Sequence, residues 1–322
     1  MELAESILAG DRLALARLLT LLENQAPEGA QALNQLYPQS GRAHRIGVTG
    51  APGTGKSALV NQLALHLRQG GSGPSVAVVA VDPSSPFSGG ALLGDRIRMR
   101  DLAGDRGVFI RSMASRGALG GLARTTASVV DALDAAGFQV IFIETVGAGQ
   151  VEVDIAAAAP TVLVLEAPGL GDGVQALKAG ILEIGDILVV NKADLPGAES
   201  AANNLRAALD LGSALAKEGD PPAWTPPVLS TMALSGEGVP ELVLAIQRHR
   251  EYLQGSGEWG RRERTRLRRE MLQLLRQRLS DRFLAGQPDG AFEAALDRTL
   301  QHELTPARAI EELVAEGYPV PR

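Results

Sequence analysis

A glycine-rich loop between an apolar strand and a helix constrains this chain more than any other feature. The loop reads Gly50-Ala51-Pro52-Gly53-Thr54-Gly55-Lys56-Ser57 and fits the pattern G-x-x-x-x-G-K-[ST] at every fixed position. Residues 46–49 form an apolar run typical of a buried strand, and residues 58–64 have the composition of a helix. In such a unit the loop N–H groups and the helix N-terminus surround a phosphate chain. The sequence therefore predicts a phosphate-binding strand–loop–helix unit.

Within this loop, Lys56 is predicted to reach the β- and γ-phosphates of a nucleotide, and Ser57 to bind Mg²⁺. A chance match in a chain rich in glycine is the alternative, but it does not account for the strand and helix on either side. Further nucleotide contacts are predicted from residues of the loop and from the residue after it: Gly50, Pro52, Gly53, Thr54, Gly55 and Ala58.

Apolar runs alternate with helical stretches from about residue 44 onward. The predicted strands are rich in Val and Ile and lie at residues 45–49, 76–81, 108–111, 140–144, 161–166, 187–191 and 228–231. Continuous apolar runs suit strands that are buried on both faces, so we predict an α/β fold with a mostly parallel sheet, a P-loop NTPase domain. The nucleotide is then expected outside the carboxyl ends of the strands.

Helical patterns flank this domain on both sides. Leucines at helical spacing predict an N-terminal helical segment over residues 1–40, with Asp11 as the cap of its second helix. The P-loop domain is predicted over residues 41–252. Residues 253–322 form a C-terminal helical region with a long helix at residues 261–282, and eight arginines fall between Arg261 and Arg278.

A second motif follows a later strand and specifies the base. Asn191-Lys192-Ala193-Asp194 comes directly after the apolar residues 187–190. The Asp194 carboxylate is predicted to accept two hydrogen bonds from guanine, and a site built on such bonds rejects the wrong base by as much as ~10⁴. Asn191 is predicted to tie this motif to the phosphate loop, and the stem of Lys192 to cover the base. The alternative for Asp194 is a helix cap.

The loop after the last predicted strand contributes Met232, Ala233 and Leu234, whose backbone is predicted to line the base at guanine O6. Ser235 in this loop has an alternative role as the cap of the helix that begins near Val239.

Acidic residues at strand ends are predicted to complete a Mg²⁺ site with Ser57, because Mg²⁺ prefers oxygen ligands. These residues are Asp82, Asp95 and Glu144. Gly147, which closes Glu144-Thr145-Val146-Gly147, is predicted to contact the γ-phosphate. The alternatives are that Asp82 or Asp95 is a turn residue, and that Glu144 is a strand-end acid facing water.

Composition limits the classes of function. The 322 residues include no Cys and only four scattered His, which excludes disulfides, zinc–thiolate sites and thiol catalysis. A net charge of −6 argues against a nucleic-acid partner. The chain begins with acidic rather than basic residues, unlike an export signal, and has no apolar run of membrane-spanning length. We therefore expect a cytoplasmic protein with no membrane partner.

The motifs taken together closely resemble the MeaB/ArgK family of methylmalonyl-CoA mutase-associated GTPases, similar to the human methylmalonic aciduria type A protein. The resemblance is strong over residues 40–250. It rests on Asp82-Pro83-Ser84-Ser85-Pro86 with Leu93-Gly94-Asp95, on Glu144-Thr145-Val146-Gly147 with Gly149-Gln150, and on Asn191-Lys192-Ala193-Asp194. Met232 replaces the Ser that is usual in the base loop of that family.

The resemblance implies a GTPase that binds GTP, GDP and Mg²⁺ and turns over slowly without a partner. It also implies a chaperone of a cobalamin-dependent acyl-CoA mutase, which gates adenosylcobalamin delivery and protects or reactivates the mutase. Such proteins form homodimers, with residues 253–322 as the dimerisation arm. Lys178 matches a mobile segment of the family and would enter the nucleotide site when the mutase binds. Apart from the resemblance, Gln150 is the residue that we predict to orient the attacking water.

Other functions stay open at this point. A GTPase for metallocentre assembly shares this kind of domain but normally carries Cys or His for metal. An ATP-dependent kinase of a transport system is opposed by the guanine motif. A nucleic-acid-binding module would use the arginines of residues 261–278, although the apolar positions there favour a helical dimer arm.

Overall fold

The computed structural model of the protein describes residues 2–69, 71–82, 99–102, 104–114, 124–145, 158–169, 181–213, 224–288 and 290–317. The chain divides into two units, Met1–Glu263 and Arg264–Arg322. Among the described helices, none has both the length and the apolar character required to cross a membrane.

A parallel sheet of seven strands forms the centre of the first unit, in the order β3-β2-β4-β1-β5-β6-β7. The strands are β1 (His44–Gly50), β2 (Val76–Asp82), β3 (Val108–Ala114), β4 (Val140–Thr145), β5 (Thr161–Glu166), β6 (Ile187–Asn191) and β7 (Val228–Thr231). The predicted α/β fold with its parallel sheet is confirmed. The bounds of β5, β6 and β7 are those predicted, and the other strands extend slightly further than predicted.

Helices precede the sheet, connect its strands and follow it. Those of the first unit are α1 (Leu3–Leu8), α2 (Arg12–Glu23), α3 (Pro27–Leu36), α4 (Lys56–Leu67), α5 (Arg124–Ala135), α6 (Ile181–Ile184), α7 (Ala198–Ser213) and α8 (Val239–Gly255). Short 3₁₀ turns lie at Tyr37–Gln39 and Arg100–Leu102. Helix α9 (Glu258–Ala285) starts in the first unit, and α10 (Ala291–Leu300) and α11 (Pro306–Gly317) belong to the second.

Both faces of the sheet are covered by apolar side chains. On one face, Leu59 and Leu63 of α4 pack with Leu242 of α8 over the strands. On the other, leucines of α2 pack with α5. A smaller cluster joins β5 and β6 to α7. This two-sided burial is the reason that the strands are continuous apolar runs.

The predicted cap of the second N-terminal helix is confirmed. Asp11 Oδ1 accepts hydrogen bonds from Leu13 N at 2.8 Å and Ala14 N at 3.2 Å. Helix α2 packs against α5 inside the first unit, so the N-terminal helices cover one face of the sheet. The domain boundaries at residues 40 and 252 stay predictions.

Asp186, just before β6, anchors the start of α9. Its carboxylate accepts two hydrogen bonds from Arg262 Nη1, each 2.9 Å, and one from Val162 N at 2.8 Å. Arg262 also donates to Pro160 O over 2.7 Å. The long helix that starts here has 28 residues rather than the predicted 22, which gives a length of about 42 Å.

Candidate nucleotide-binding site

The phosphate loop leaves the carboxyl end of β1, in the middle of the sheet. Gly50, the last residue of β1, pairs with Leu165 of β5 and has φ 139°. A Cβ atom at Gly50 would lie 2.1 Å from the carbonyl oxygen of Leu165. The first glycine of the motif is therefore required by the approach of two backbones, because no side chain fits between them.

Inside the loop, backbone oxygens hold Lys56 and Thr54. The Lys56 ammonium donates to Gly50 O at 2.6 Å and Ala51 O at 3.1 Å, and its residue is only 7% exposed. The Thr54 hydroxyl donates to Ala51 O over 2.9 Å. The Lys56 charge thus lies against the inner side of the loop, where a phosphate oxygen can take the place of a carbonyl as its acceptor.

The start of α4 supplies further donors. Helix α4 begins at Lys56, and Gly55 before it has φ 92°. No side chain of the described residues caps this helix start. The first N–H groups of a helix lack partners within the helix and carry a partial positive charge, so this end can bind an anion. Ser57 and Ala58 lie in the same first turn, as the predicted contacts require.

Asn191 joins the phosphate loop to the base-binding loops. Its Nδ2 donates to Thr54 O over 2.7 Å, which confirms the predicted tie between the two motifs. Its Oδ1 accepts from Ala233 N at 3.0 Å and from the Thr231 hydroxyl at 3.2 Å. Asn191 is buried, so each of these hydrogen bonds is costly to leave unmade.

Gly55 makes room for this contact. A Cβ atom at Gly55 would lie 2.4 Å from Asn191 Nδ2, and its φ of 92° also disfavours a side chain. The second glycine of the phosphate motif is thus required because the Asn191 amide of the base motif occupies the space that a side chain would need.

The base motif presents Asp194 to solvent. Asp194 is exposed, and helix α7 begins only at Ala198 with Gly197 before it, so the alternative of a helix cap is wrong. Lys192 has φ 58°, a conformation uncommon for a residue with a side chain. This turn brings Ala193 N within 3.1 Å of Thr231 O and holds the motif against β7.

The loop after β7 is closed by its own backbone. Met232 N donates to Glu237 O over 2.9 Å, and Ala233 is buried beside Asn191. Leu234 is 94% exposed. The alternative role of Ser235 as the cap of α8 is wrong, because Gly238 holds that position with φ 77°.

Two of the predicted metal ligands meet at the carboxyl end of β4. The Ser57 hydroxyl donates to Glu144 Oε1 over 3.0 Å, and Glu144 is fully buried. The alternative of an acid facing water is therefore wrong. Asp82 ends β2, the strand beside β4, and Ala80 of β2 pairs with Glu144. The backbone thus brings Asp82 to the same edge of the sheet as Glu144.

Several predicted site residues lie outside the described residues: Asp95, Gly147, Gln150 and Lys178. Pro52 and Gly53 lie in the described phosphate loop, where Gly53 has φ 82°. Within the described part of the chain, no group of three or more acidic or His side chains forms a metal cluster.

Two residues at the site were missed by sequence reasoning. Thr231 orients Asn191 and lies opposite it in the β6–β7 register, which no local sequence pattern shows. Glu166 ends β5 beside the phosphate loop, directly after the residue that pairs with Gly50. Burial raises the pKa of the Glu166 carboxyl above its ordinary value.

Known proteins are similar to this chain in sequence, and a solved structure is similar to it in fold. A protein of Pyrococcus abyssi assigned as a GTPase is 45% identical over 98% of this chain and 96% of its own length. The mitochondrial methylmalonic aciduria type A homolog of Caenorhabditis elegans is 29% identical over 99% of this chain and 83% of its own length. The crystal structure of a LAO/AO transport system kinase matches with a TM-score of 0.72 and 27% identity, over 97% of this chain and 95% of that chain.

A family model covers most of the chain. The model described as methylmalonyl Co-A mutase-associated GTPase MeaB matches residues 15–288, which include every described residue of the nucleotide site. Together with the GTPase relatives, this match makes the chain a GTP-hydrolysing enzyme that binds guanine nucleotides. The protein belongs to the family of methylmalonyl Co-A mutase-associated GTPases, MeaB.

Proposed function

We propose that this protein is a GTPase chaperone of a cobalamin-dependent acyl-CoA mutase of the methylmalonyl-CoA mutase type. It gates adenosylcobalamin delivery and protects or reactivates the mutase. The observation that carries this proposal is the family match across residues 15–288, whose description names association with methylmalonyl Co-A mutase. The name of the Caenorhabditis elegans relative, a methylmalonic aciduria type A homolog, supports the same partner.

In the proposed reaction, a water molecule attacks the γ-phosphate of GTP in line with the leaving oxygen. The Lys56 ammonium and the N–H groups at the start of α4 offset the negative charge that develops on the transferring group. Asp194 selects guanine. Turnover without a partner is expected to be slow, on the order of 10⁻⁴ to 10⁻² s⁻¹.

The oxygen donors at the end of β4 fit a Mg²⁺ ion. Ser57 Oγ, in the first turn of α4, lies 3.0 Å from Glu144 Oε1 at the end of β4. Both side chains offer oxygen atoms, which are the ligands that Mg²⁺ prefers. Asp82, at the end of the neighbouring strand, and Asp95 complete the proposed ligand set. When bound, the ion neutralises charge on the phosphates.

The remaining catalytic roles are assigned to residues outside the described ranges. Gln150 orients the attacking water. Lys178 enters the site as a second cation when the mutase binds, which makes hydrolysis depend on the partner. A variant Lys178→Ala should therefore retain basal hydrolysis and lose the stimulation by the mutase, whereas loss of both would contradict this division of roles.

A homodimer is proposed through the second unit. Met271, Leu275 and Leu279 follow one another at intervals of four residues on α9, and all three are exposed in the single chain. Residues at this spacing share one face of a helix, and an exposed apolar face of this kind is stabilised by burial against a second copy. Sedimentation analysis of Leu275→Glu should give a monomer, while Gln273→Glu, which adds the same charge on another face, should stay dimeric.

The decisive experiment measures GTP hydrolysis by the full chain with and without a purified cobalamin-dependent acyl-CoA mutase. Stimulation of about tenfold or more, together with capture of the mutase that differs between GDP and a non-hydrolysable GTP analogue, is expected. Lys56→Ala should abolish hydrolysis with the far-UV circular dichroism unchanged. Absence of both stimulation and capture with methylmalonyl-, isobutyryl- and ethylmalonyl-type mutases would refute the chaperone role and leave the GTPase activity standing.

A kinase function is the second candidate, because one crystal structure that matches this chain is that of a LAO/AO transport system kinase. It requires ATP as phosphoryl donor. Transfer of the γ-phosphate of ATP to a protein substrate, with equal affinity for ATP and GTP by calorimetry, would favour the kinase. A metallocentre-assembly role is less well supported, since the chain has no Cys.

A further inference from the structure

A cleft of about 510 Å³ lies at the edge of the sheet opposite the nucleotide site. Arg42, which lines it, comes just before β1, and Gln139 comes just before β4. Gln139 O accepts a hydrogen bond from His44 N at 2.8 Å, so this is the amino-terminal edge of both strands. The phosphate loop leaves the other end of β1. The cleft is therefore separate from the site of GTP hydrolysis.

Asp134, the acidic residue that lines this cleft, already accepts hydrogen bonds at both carboxylate oxygens. Asp134 Oδ1 accepts from Arg42 N and Ala43 N at 3.0 Å each. Asp134 Oδ2 accepts from Gly41 N at 2.9 Å and from Arg45 Nη2 at 3.0 Å. These bonds fill the acceptor positions of a carboxylate. The carboxylate of Asp134 is therefore not available to the guanidinium groups of Arg42 and Arg250, which also line the cleft.

Arg250 of α8 lacks a carboxylate partner among the described residues. It is half-buried, and its guanidinium carbon lies 6.0 Å from the centre of the Trp259 ring. Burial is the main cause of the lowered pKa of the His44 imidazole, and the positive charge of Arg250 lowers it further. A partly buried cation without a counterion is costly, and a planar guanidinium fits carboxylate and phosphate oxygens in a two-pronged contact.

A second guanidinium completes the polar side of the cleft. Arg42 is exposed and donates to Gln39 Oε1 over 3.3 Å, which occupies one of its five N–H groups. At the nearby end of α5, Ala136 N donates to Ala132 O over 2.9 Å and Phe138 N donates to Leu133 O over 3.2 Å. The two arginines thus line one cleft, and the acid of its lining, Asp134, already accepts four hydrogen bonds from other groups.

The other side of the cleft is apolar. Phe138 is half-buried there, and Leu8 of α1 is exposed toward solvent. We propose that this arginine cleft binds a small organic oxyanion, a carboxylate or phosphate monoester that carries an apolar group. The oxyanion contacts Arg250 and Arg42, and the apolar group packs on Phe138. This site is independent of the proposed chaperone function.

Trp259 gives the cleft a local reporter. It lies in the first turn of α9 with Arg250 over its ring, and the chain has only two tryptophans. The full chain is first saturated with GDP, so that added anions do not enter the phosphate loop. Benzoate, phenyl phosphate and inorganic phosphate are then titrated against tryptophan emission and by calorimetry. The two aromatic probes separate a carboxylate ligand from a phosphate ligand.

A saturable change with benzoate or phenyl phosphate, tighter than with inorganic phosphate, is expected. Arg250→Gln should weaken that binding tenfold or more while GDP affinity stays unchanged. The affinity of Arg250→Lys for the anion should lie between that of the unmodified chain and that of Arg250→Gln. Arg248→Gln, at an exposed position of the same helix, should leave the affinity unaltered. If no probe binds GDP-loaded protein, or if Arg250→Gln binds as the unmodified chain does, the arginine cleft is not an anion site.

Discussion

The Asn191 side-chain amide, at the end of β6, donates a hydrogen bond over 2.7 Å to the carbonyl of Thr54 in the loop after β1. The same side chain accepts from Ala233 N in the loop after β7. One buried residue therefore connects the phosphate loop with both loops that are predicted to recognise the base. Loss of this side chain should disturb all three loops at once.

Asn191→Ala should lower GDP affinity by about 30-fold or more. The change leaves Thr54 O and Ala233 N without their partner in a buried place, and at roughly 1 kcal/mol or more for each group the sum is about 2 kcal/mol or more. Calorimetric titration with GDP measures the effect. Asn203→Ala, at an exposed position of α7, is the matched control and should bind normally. Equal affinity of the two variants would show that Asn191 does not organise the site.

Thr231→Val should weaken GDP binding by about fivefold, the effect of one hydrogen bond of about 1 kcal/mol. Valine keeps the shape of threonine but removes the hydroxyl that orients Asn191 Oδ1. Thr231→Ser keeps the hydroxyl and should restore most of the affinity. If serine and valine behave alike, the contribution of Thr231 is packing rather than orientation.

Gly55→Ala should abolish measurable nucleotide binding. The new methyl group would meet Asn191 Nδ2 at 2.4 Å and force the amide away from the loop. Gly10→Ala is the control, because Gly10 has a similar φ of 88° and nothing within 4 Å of a Cβ atom. Both variants should lose about 1–2 kcal/mol of stability from the left-handed backbone. Only Gly55→Ala should lose GDP, as measured by equilibrium dialysis.

Asp194→Ala should remove most of the preference for GTP over ATP. The carboxylate is expected to contribute up to ~10⁴-fold discrimination through its two hydrogen bonds to guanine. Affinities for GDP and ADP, compared in the same assay, give the ratio directly. Glu199→Ala, an exposed acid at the start of α7, should keep the ratio of the unmodified protein. A ratio that survives Asp194→Ala would place guanine recognition elsewhere.

Acid should destabilise the protein through His44. Burial, followed by the charges of Arg250 and His249, lowers the pKa of His44 from 6.5 to about 3. Its imidazole bonds to the Thr161 hydroxyl at 2.7 Å. As pH falls below 6.5, the unfolded chain binds this proton before the folded chain does. The stability held by neutral His44 is therefore complete above about pH 6.5 and is lost progressively toward pH 3.

The expected slope is about 1.4 kcal/mol per pH unit from this one group, within that window. Urea unfolding between pH 7.5 and 5 measures it. His44→Gln retains a polar side chain at this position without the titration, so its stability should depend less on pH by that amount. An equal slope in both proteins would mean that His44 is protonated in the folded state at these pH values.

The order of elements was accessible from the sequence because the central strands are apolar runs that the sheet buries on both faces. Strands β5 and β6 are of this kind and were predicted at the bounds that the structure has, as was the edge strand β7, which is only partly buried. The bounds of α9 were less accessible. The helix extends past both ends of the predicted range, and at its start Trp259 contacts His44, which lies far away in the sequence. Such contacts join residues far apart in sequence and leave no local pattern.

The sequence by itself determined the ligand class and the fold. The spacing of Gly50, Gly55 and Lys56 predicts a phosphate ligand, and Asp194 predicts guanine, because each chemistry needs those residue types in a short local motif. The sequence also predicted that Asn191 ties the two motifs together and that Ser57 and Glu144 share a metal site. Tertiary structure alone supplied the contacts: it placed the Asn191 amide against Gly55, the Thr231 hydroxyl on Asn191, and the Ser57 hydroxyl on Glu144. These pairs form only when parallel strands align their carboxyl ends, so their register, rather than any local sequence, brings the site together.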